Sequence, residues 1–187
     1  MTALNTPRVN CISTAKEFNL LGVDSKYYTL KDCCGKNGLV VMFICNHCPY
    51  VQSIISNLVS DVNLLQRDYQ VNAVAIMPND VVAYPEDSYE NMIDFAKENK
   101  FIFPYLIDST QKTAREYGAV CTPDFFGFNS QLNLCYRGRF DGSKKDKLQF
   151  YKTGSSDLFK AMKFIADTGN PPADQEPSIG CSIKWSS

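Results

Sequence analysis

The most constraining feature of the sequence is a buried-strand pattern that passes into a helix pattern through one short, cysteine-containing turn. Residues Leu39–Ile44 are continuously apolar and bounded by turn residues, which is typical of a strand buried on both faces. Across Pro49–Tyr69 the apolar residues recur at steps of three and four, which predicts an amphipathic helix. Pro49 suits the first turn of that helix, because an N–H group there would have no helical partner. A second apolar run, Val71–Met77, completes a β–α–β unit.

The other patterns extend this unit into an α/β fold, a three-layer α/β/α sandwich with a mixed sheet. Phe18–Leu30 predicts two short strands around a turn, and helices and strands then alternate. These further elements are helices at Ser88–Asn99, Thr110–Tyr117 and Ser156–Ala166, a strand at Phe103–Ile107, a hairpin of Asp124–Phe128 with Leu132–Phe140, and a polar loop at Asp141–Ser155. Strands that alternate with helices and end in a hairpin are typical of this architecture.

The domain prediction is one domain at residues 1–167 followed by a C-terminal tail at residues 168–187. A chain of 187 residues suits a single domain with its own core. Ile179, Ile183 and Trp185 are apolar residues in an otherwise polar tail. We therefore expect the tail to dock on the domain rather than fray.

Composition and charge exclude several function classes. Hydrophobic residues make up 44% of the chain and charged residues 21%, as in a soluble globular protein. The net charge of −1 argues against nucleic acid or an anionic membrane as a partner. The longest apolar run, Leu39–Cys45, is far shorter than the ~20 residues of a transmembrane helix. Residues 1–10 lack the apolar segment of a signal peptide, so a cytoplasmic protein is expected. The sequence has no glycine-rich phosphate loop, and no cofactor is predicted.

Cys45 and Cys48 form a C-x-x-C motif, which beside a β–α–β pattern indicates a redox pair. The turn is expected to place the Cys45 sulfur at the helix N-terminus, where free N–H groups and the helix dipole stabilise a thiolate. Cys48 would then lie close enough to resolve a mixed disulfide. His47, the only histidine in the chain, adds positive charge beside the thiolate and predicts a more oxidising couple.

A second feature is the Thr122-Pro123 dipeptide, which directly precedes a predicted strand. An X-Pro bond tolerates the cis form, but the dipeptide alone favours an ordinary trans loop proline. Cys121 in the same loop is either a third redox thiol or metal ligand, or simply a small buried residue, the interpretation that burial statistics favour. Cys181 is an accessory-thiol candidate, a resolving cysteine that would arrive from the tail. The remaining cysteines are predicted to be structural: Cys11, Cys33, Cys34 and Cys135.

Together these motifs resemble the thioredoxin superfamily, and within it the redoxin branch of peroxiredoxins and thiol–disulfide oxidoreductases. The similarity covers Phe18–Phe164, most of the chain, with a further match in the tail. More narrowly, the chain looks like the peroxiredoxin-like thioredoxin-family proteins with a CNHCP motif. The segments that carry this likeness are Phe43–Val51, Asn79-Asp80, Tyr84–Ser88, Phe103–Tyr105, Cys121–Phe126 and Pro177–Trp185.

The resemblance implies a thioredoxin-like fold with an N-terminal β-hairpin and an inserted helix and strand. It implies that Cys45 is the nucleophile and Cys48 the resolving cysteine. Pro123 matches the cis-proline that lies against the active-site disulfide, and Thr122 would offer its backbone to an incoming polypeptide strand. The implied function is a thiol–disulfide oxidoreductase that acts on protein or small-molecule thiols and disulfides.

Two other functions remain open. A thiol peroxidase is the first alternative, because Cys48-Pro49 echoes the Cys-Pro of peroxiredoxins, although Val41 and Cys45 stand where that pattern has Pro and Thr or Ser. The second is Cu(I) or Zn binding, with Cys45, His47 and Cys48 as ligands and Cys121 completing the site. In the oxidoreductase mechanism the Cys48 thiol must lose its proton. The strand before the motif contains no acidic residue, so this proton transfer needs another group or water. Oligomeric state and the direction of redox chemistry are left open.

Overall fold

The computed structural model describes residues 3–6, 13–142 and 152–186. Within these ranges the chain alternates strands and helices, as predicted. The elements, in chain order, are β1 (Ala3–Asn5), β2 (Asn19–Gly22), β3 (Tyr27–Thr29), α1 (Leu30–Cys33), β4 (Gly38–Phe43), α2 (Pro49–Tyr69), β5 (Val71–Met77), a 3-10 turn (Pro85–Asp87), α3 (Tyr89–Glu98), β6 (Tyr105–Ile107), α4 (Lys112–Tyr117), β7 (Cys121–Thr122), β8 (Asp124–Asn129), β9 (Leu134–Gly138), α5 (Asp157–Thr168) and β10 (Ile179–Ser182).

A seven-stranded mixed sheet forms the centre of the molecule, in the order β3-β2-β6-β5-β4-β8-β9. β4 lies between β5, to which it runs parallel, and β8, to which it runs antiparallel. Every residue of β4 is buried, because helices cover both faces of the sheet. Side chains alternate along the strand. Val40 and Met42 pack on the face covered by α2 and α5, whereas Val41 and Phe43 pack on the face covered by α1 and α4. The predicted three-layer arrangement is confirmed.

The element bounds follow the prediction where periodicity is strong and depart from it where local chemistry intervenes. α2 and β5 have the predicted bounds. β6 begins at Tyr105 instead of Phe103, since the intervening Pro104 has no N–H group for the ladder. The predicted β2–β3 hairpin is confirmed, but Leu30 starts α1 because the Thr29 side chain caps that helix. Most of the predicted loop Asp141–Ser155 lies outside the described residues, as does Cys11.

A second, three-stranded sheet has the order β1-β10-β7 and is built partly from the C-terminal segment. β10 pairs antiparallel with β1 on one side and with β7 on the other. Beyond it, Ile183 is buried in the core and Arg115 stacks over the Trp185 ring at 4.3 Å. Ile179 is about half exposed. Among the described residues, none of the helices combines the length and apolar character needed to cross a membrane.

Candidate redox site

The C-x-x-C loop joins the end of β4 to the start of α2, and Cys48, not Cys45, is the N-cap residue of the helix. The residue that caps the helix is therefore Cys48, three positions after the cysteine that was predicted to lie at the helix N-terminus. Pro49 occupies the first helical position, which tolerates a residue without an N–H group. Helical geometry begins only after Cys48, so Asn46 and His47 stay in an irregular turn between the two cysteines.

A buried carboxylate, Asp87, holds this turn in place. Its Oδ1 accepts hydrogen bonds from the backbone N–H groups of Asn46 at 2.8 Å and His47 at 3.3 Å. Its Oδ2 lies 2.7 Å from His47 Nδ1 and accepts a bond from Asn79 Nδ2 at 2.8 Å. Because an ionised carboxylate only accepts, Nδ1 carries the ring proton when the imidazole is neutral. Sequence reasoning missed this role of Asp87, and the N-cap of α3 is the neighbouring Ser88.

Further contacts fix the two residues between the cysteines. The hydroxyl of the buried Tyr105 donates to Asn46 Oδ1 at 2.9 Å, and Gln52 Nε2 donates to the Asn46 carbonyl oxygen at 2.9 Å. The His47 ring stacks on Tyr84, with a centroid distance of 5.9 Å and an interplanar angle of 7°. The turn is thus preorganised by side chains from three other parts of the chain.

Cys48 has the environment of a thiolate. A hydrogen bond from the Cys45 thiol is the largest influence on its pKa, and hydrogen bonds from the Cys181 thiol and from the backbone N–H groups of Val51 and Cys181 act in the same direction. Against the opposing effect of burial, they lower the Cys48 pKa to about 4. The Cys48 Sγ lies 2.9 Å from the Cys181 Sγ and 3.1 Å from the Thr122 carbonyl oxygen, to which a protonated Cys48 donates.

Cys45 has the opposite tendency. Its pKa is raised because its proton is shared with Cys48, because it is buried and because the Asp87 carboxylate is near. The Thr122 Oγ1 lies 3.3 Å from its sulfur and partly offsets this rise by hydrogen bonding. In the reduced protein, the proton shared by the pair therefore stays on Cys45 and the negative charge on Cys48.

The Thr122–Pro123 peptide bond is cis, as the resemblance implied and unlike the trans form that the dipeptide alone favoured. Thr122 faces the C-x-x-C loop with both its hydroxyl and its carbonyl group. Cys121 is buried, its sulfur lies 3.5 Å from the Pro123 carbonyl oxygen, and burial raises its pKa. The structure thus brings together Cys45, Cys48, Thr122 and Cys181, and leaves Cys121 as a thiol held in its protonated form.

The predicted structural cysteines that are described lie elsewhere in the fold. Cys33 packs in the core beneath β4, where burial raises its pKa to about 12. The half-buried Cys34 donates to the Leu30 carbonyl oxygen at 3.1 Å. Cys135 is buried on β9, and burial raises its pKa.

Among the described residues, one group of side chains has donor atoms close enough for a metal ion to bridge. Ligand atoms of Cys45, His47 and Asp87 lie within 4.8 Å of one another. The metal hypothesis instead combined Cys45, His47 and Cys48 with Cys121. The His47 and Asp87 atoms already share a 2.7 Å hydrogen bond, so a bound ion would have to replace it.

The reactive sulfurs are covered in this structure. Cys45 and Cys48 have no exposed surface, and Cys181 is 3% exposed. Beside them a cleft of about 380 Å³ runs between the start of α2, the cis-proline and the tail, lined by Tyr50, Pro123, Phe140 and Ser178 among others. A substrate segment could approach the cis-proline through this cleft, because Pro123 lines it.

Solved structures with the same fold come from several bacteria. An uncharacterised conserved protein from Geobacillus kaustophilus is 40% identical, with a TM-score of 0.88 over 100% of this chain and 97% of that one. A hypothetical protein from Sinorhizobium meliloti 1021 is 32% identical, with a TM-score of 0.88 over 98% of each chain. A secreted disulfide oxidoreductase from Mycobacterium tuberculosis, homologous to E. coli DsbE, shares the fold at 16% identity, with a TM-score of 0.51 over 63% of this chain and 79% of that one.

Sequence comparison gives the family directly. A comparison with curated proteins produced no match. The model of the AhpC/TSA family, in contrast, matches residues 13–150. Because that match spans more than half of the chain, and because the fold is the thioredoxin-like fold of the redoxins, the protein belongs to the AhpC/TSA family.

Proposed function

We propose that this protein is a thiol–disulfide oxidoreductase that cycles Cys45 and Cys48 between dithiol and disulfide. The observation that carries the proposal is that both sulfurs face Thr122 of the cis-proline loop, with Cys45 3.3 Å from its hydroxyl oxygen and Cys48 3.1 Å from its carbonyl oxygen. Two cysteine sulfurs that converge on one residue, one of them a stabilised thiolate, have the arrangement that disulfide exchange requires. The substrates are thiols and disulfides of proteins or small molecules. In a reducing compartment the resting form would be the dithiol.

We assign the two cysteines the reverse of the roles implied by the resemblance. Cys48, whose pKa is lowered, attacks a substrate disulfide, and one substrate sulfur leaves as a thiolate. Cys45 then attacks the Cys48 sulfur of the mixed disulfide, which releases the second substrate thiol and closes the Cys45–Cys48 bond. Before this second attack Cys45 must lose its proton. The hydrogen-bonded His47 and Asp87 pair, next to Cys45, is the acceptor that the preceding strand lacks.

Single-turnover kinetics with a chromogenic aromatic disulfide test this assignment. In Cys45→Ser the first, stoichiometric attack persists, because Cys48 keeps its place at the helix N-terminus. In Cys48→Ser that attack slows by at least ~30-fold at pH 7, since an ordinary cysteine with a pKa of ~8.5 is only a few per cent thiolate there. Cys135→Ser, in a buried thiol elsewhere, serves as the matched control. A Cys48→Ser variant that attacks at the wild-type rate would refute the assignment.

A thiol peroxidase is the second candidate, favoured by the position of Cys48. Cys48 directly precedes Pro49 at the start of the helix and has the lowered pKa that a peroxidatic cysteine needs. Arg137, a buried arginine in the neighbouring strand β9, is engaged by Asp124 at 2.9 Å and by the Gly118 carbonyl oxygen at 2.8 Å. We rank this function second for that reason. Reaction of the reduced protein with hydrogen peroxide no faster than that of free cysteine would exclude it.

A further inference from the structure

We propose that Cys181 is a third member of the redox centre and exchanges disulfides with Cys48. It does so from β10, the strand that pairs with β7 beside the cis-proline, where a substrate strand would otherwise lie. This inference rests on the proposed Cys45–Cys48 couple and adds to it an acceptor within the same chain. Its basis is the 2.9 Å contact between the Cys48 and Cys181 sulfurs, across 133 positions of sequence.

Strand pairing sets the position of Cys181. In the antiparallel register of β10 with β7, Cys181 lies opposite Thr122 and Ser182 lies opposite Cys121. On its other edge β10 pairs with β1, where Ala3 lies opposite Cys181. An extended strand hydrogen-bonded on both edges has little freedom to slide. β10 thus runs alongside Thr122, in the position that an extended, cysteine-containing substrate peptide would occupy.

Contacts on both sides of Cys181 keep the strand in place. Before it, the buried Ser178 donates its hydroxyl to the Pro123 carbonyl oxygen at 2.7 Å and exchanges two further hydrogen bonds with Thr6. After it, Ile183 is buried in the core, and the Lys184 N–H group donates to Asn79 Oδ1 at 2.9 Å. Since these anchors bracket the cysteine, its sulfur is held against Cys48 by the fold and does not reach it by chance.

Gly180 shows how closely this strand approaches the cis-proline loop. A Cβ atom added at Gly180 would lie 3.0 Å from the Pro123 nitrogen and closer still to the Thr122 carbonyl oxygen. Both are backbone atoms, which cannot move aside as the end of a flexible side chain can. The absence of a side chain at this position is therefore a condition for Cys181 to reach Cys48.

The exchange step needs no external oxidant. Starting from the Cys45–Cys48 disulfide, the Cys181 thiolate attacks the Cys48 sulfur. A Cys48–Cys181 bond forms as the Cys45–Cys48 bond breaks, and Cys45 leaves as a thiolate that takes up the proton lost by Cys181. One disulfide is present before and after, so the step is redox-neutral and reversible. With β10 in place Cys48 has no exposed surface, and the thiol nearest to it on the tail side is Cys181.

Disulfide mapping of the full-length protein tests the proposal. Reduced protein is equilibrated with mixtures of glutathione and glutathione disulfide, quenched in acid, alkylated, digested with trypsin and analysed by mass spectrometry. Cys45 and Cys48 stay in one tryptic peptide, whereas Cys181 falls in another, so the two disulfides are distinguished by mass. The expected result is that both the Cys45–Cys48 and the Cys48–Cys181 disulfides are found.

Variants isolate the role of Cys181. In Cys45→Ser we expect the Cys48–Cys181 cross-link to exceed the Cys48–glutathione mixed disulfide by more than about tenfold, because a thiol fixed in contact outcompetes one in solution. In Cys45→Ser/Cys181→Ser the mixed disulfide accumulates instead. Cys45→Ser/Cys135→Ser is the matched control and behaves like Cys45→Ser.

The possible failures are distinguishable. A wild-type protein that forms Cys45–Cys48 without any Cys48–Cys181 disulfide overturns the present inference and leaves the proposed function intact, and this readout does not depend on whether the variants fold. Mixed glutathione disulfide on Cys48 in a folded Cys45→Ser variant, with Cys181 still a free thiol, also overturns it. A wild-type protein that forms Cys48–Cys181 but never Cys45–Cys48 supports the inference and contradicts the proposed couple.

Discussion

Replacement of Asp87 by asparagine tests how the active-site turn is held. The asparagine side chain would keep the size of the original and one oxygen for the backbone N–H groups of Asn46 and His47. It would replace the other oxygen by an amide NH₂ group, which cannot accept from His47 Nδ1 or from Asn79 Nδ2. Hydrogen bonds to a charged group contribute about 1.5–3 kcal/mol each. With one bond partly recovered by a change of His47 tautomer, the expected loss of unfolding free energy is about 3 kcal/mol.

Urea unfolding of the reduced protein measures this loss, with Asp80→Asn as the matched control. Asp80 accepts a hydrogen bond from the Val82 N–H group in an exposed turn. Its replacement is expected to change stability by less than about 0.5 kcal/mol. The same Asp87→Asn variant lowers the pKa of Cys45, because the carboxylate beside that thiol raises it. An Asp87→Asn protein as stable as Asp80→Asn would refute the role assigned to this carboxylate.

Three further predictions concern the cysteines, the tail and the buried ion pair. The ultraviolet absorbance of the Cys48 thiolate should be present at pH 6 and should be lost, with a midpoint near pH 4, as the pH is lowered. In Cys181→Ala this midpoint should move upward, because a hydrogen bond to Cys48 is lost. A midpoint near 8.5 in the wild type would contradict the assignment. Gly180→Ala should displace β10 and accelerate modification of Cys48 by a thiol reagent. Gly169→Ala, which is strained by the positive φ of that residue but meets no atom within 4 Å, controls for a general loss of stability and should not accelerate it. Equal rates in both variants would contradict this prediction. Arg137→Met should lower the unfolding free energy by about 3–5 kcal/mol, because it leaves the buried Asp124 carboxylate without its partner, and a loss below about 1 kcal/mol would show that the pair contributes little.

The lowered pKa of Cys48 also makes the folding stability depend on pH. The pKa of Cys48 is lower in the folded, reduced protein than in the unfolded chain, so the folded state binds fewer protons between those two values. Stability contributed by this thiolate is complete above the unfolded pKa of ~8.5 and is lost as the pH falls toward 4. Cys48→Ser should remove this part of the pH dependence, and an unchanged profile in that variant would contradict the assignment.

Periodicity and spacing were enough to predict the frame of the molecule. The steps of three and four in α2 and the apolar runs of β4 and β5 are local signals, and these elements dominate the sheet and the packing around it. The C-x-x-C motif could be placed between strand and helix for the same reason. Which cysteine caps the helix could not be read in this way, because it depends on where helical backbone geometry begins within a five-residue stretch.

Long-range contacts supplied what the sequence could not. Asp87 lies about forty positions from the turn that it holds, and in sequence it resembles an ordinary residue before a helix. The register that sets Cys181 against Thr122 joins segments about sixty residues apart, with only a few apolar residues in the tail to indicate docking. The one local hint was Gly180, whose importance becomes visible only when the neighbouring backbone is known.

The central claim is that Cys45 and Cys48 form one reversible redox couple. Equilibration of the full-length protein with glutathione buffers of graded potential, followed by quantification of free thiols and disulfide-linked peptides, tests it most directly. We predict a two-electron transition at a potential above that of thioredoxin, about −270 mV, because His47 in the motif favours the thiolate. The transition should persist in Cys135→Ser and disappear in Cys48→Ser. A protein whose Cys45 and Cys48 stay reduced at every potential, or a Cys48→Ser variant that keeps the transition, would contradict the account.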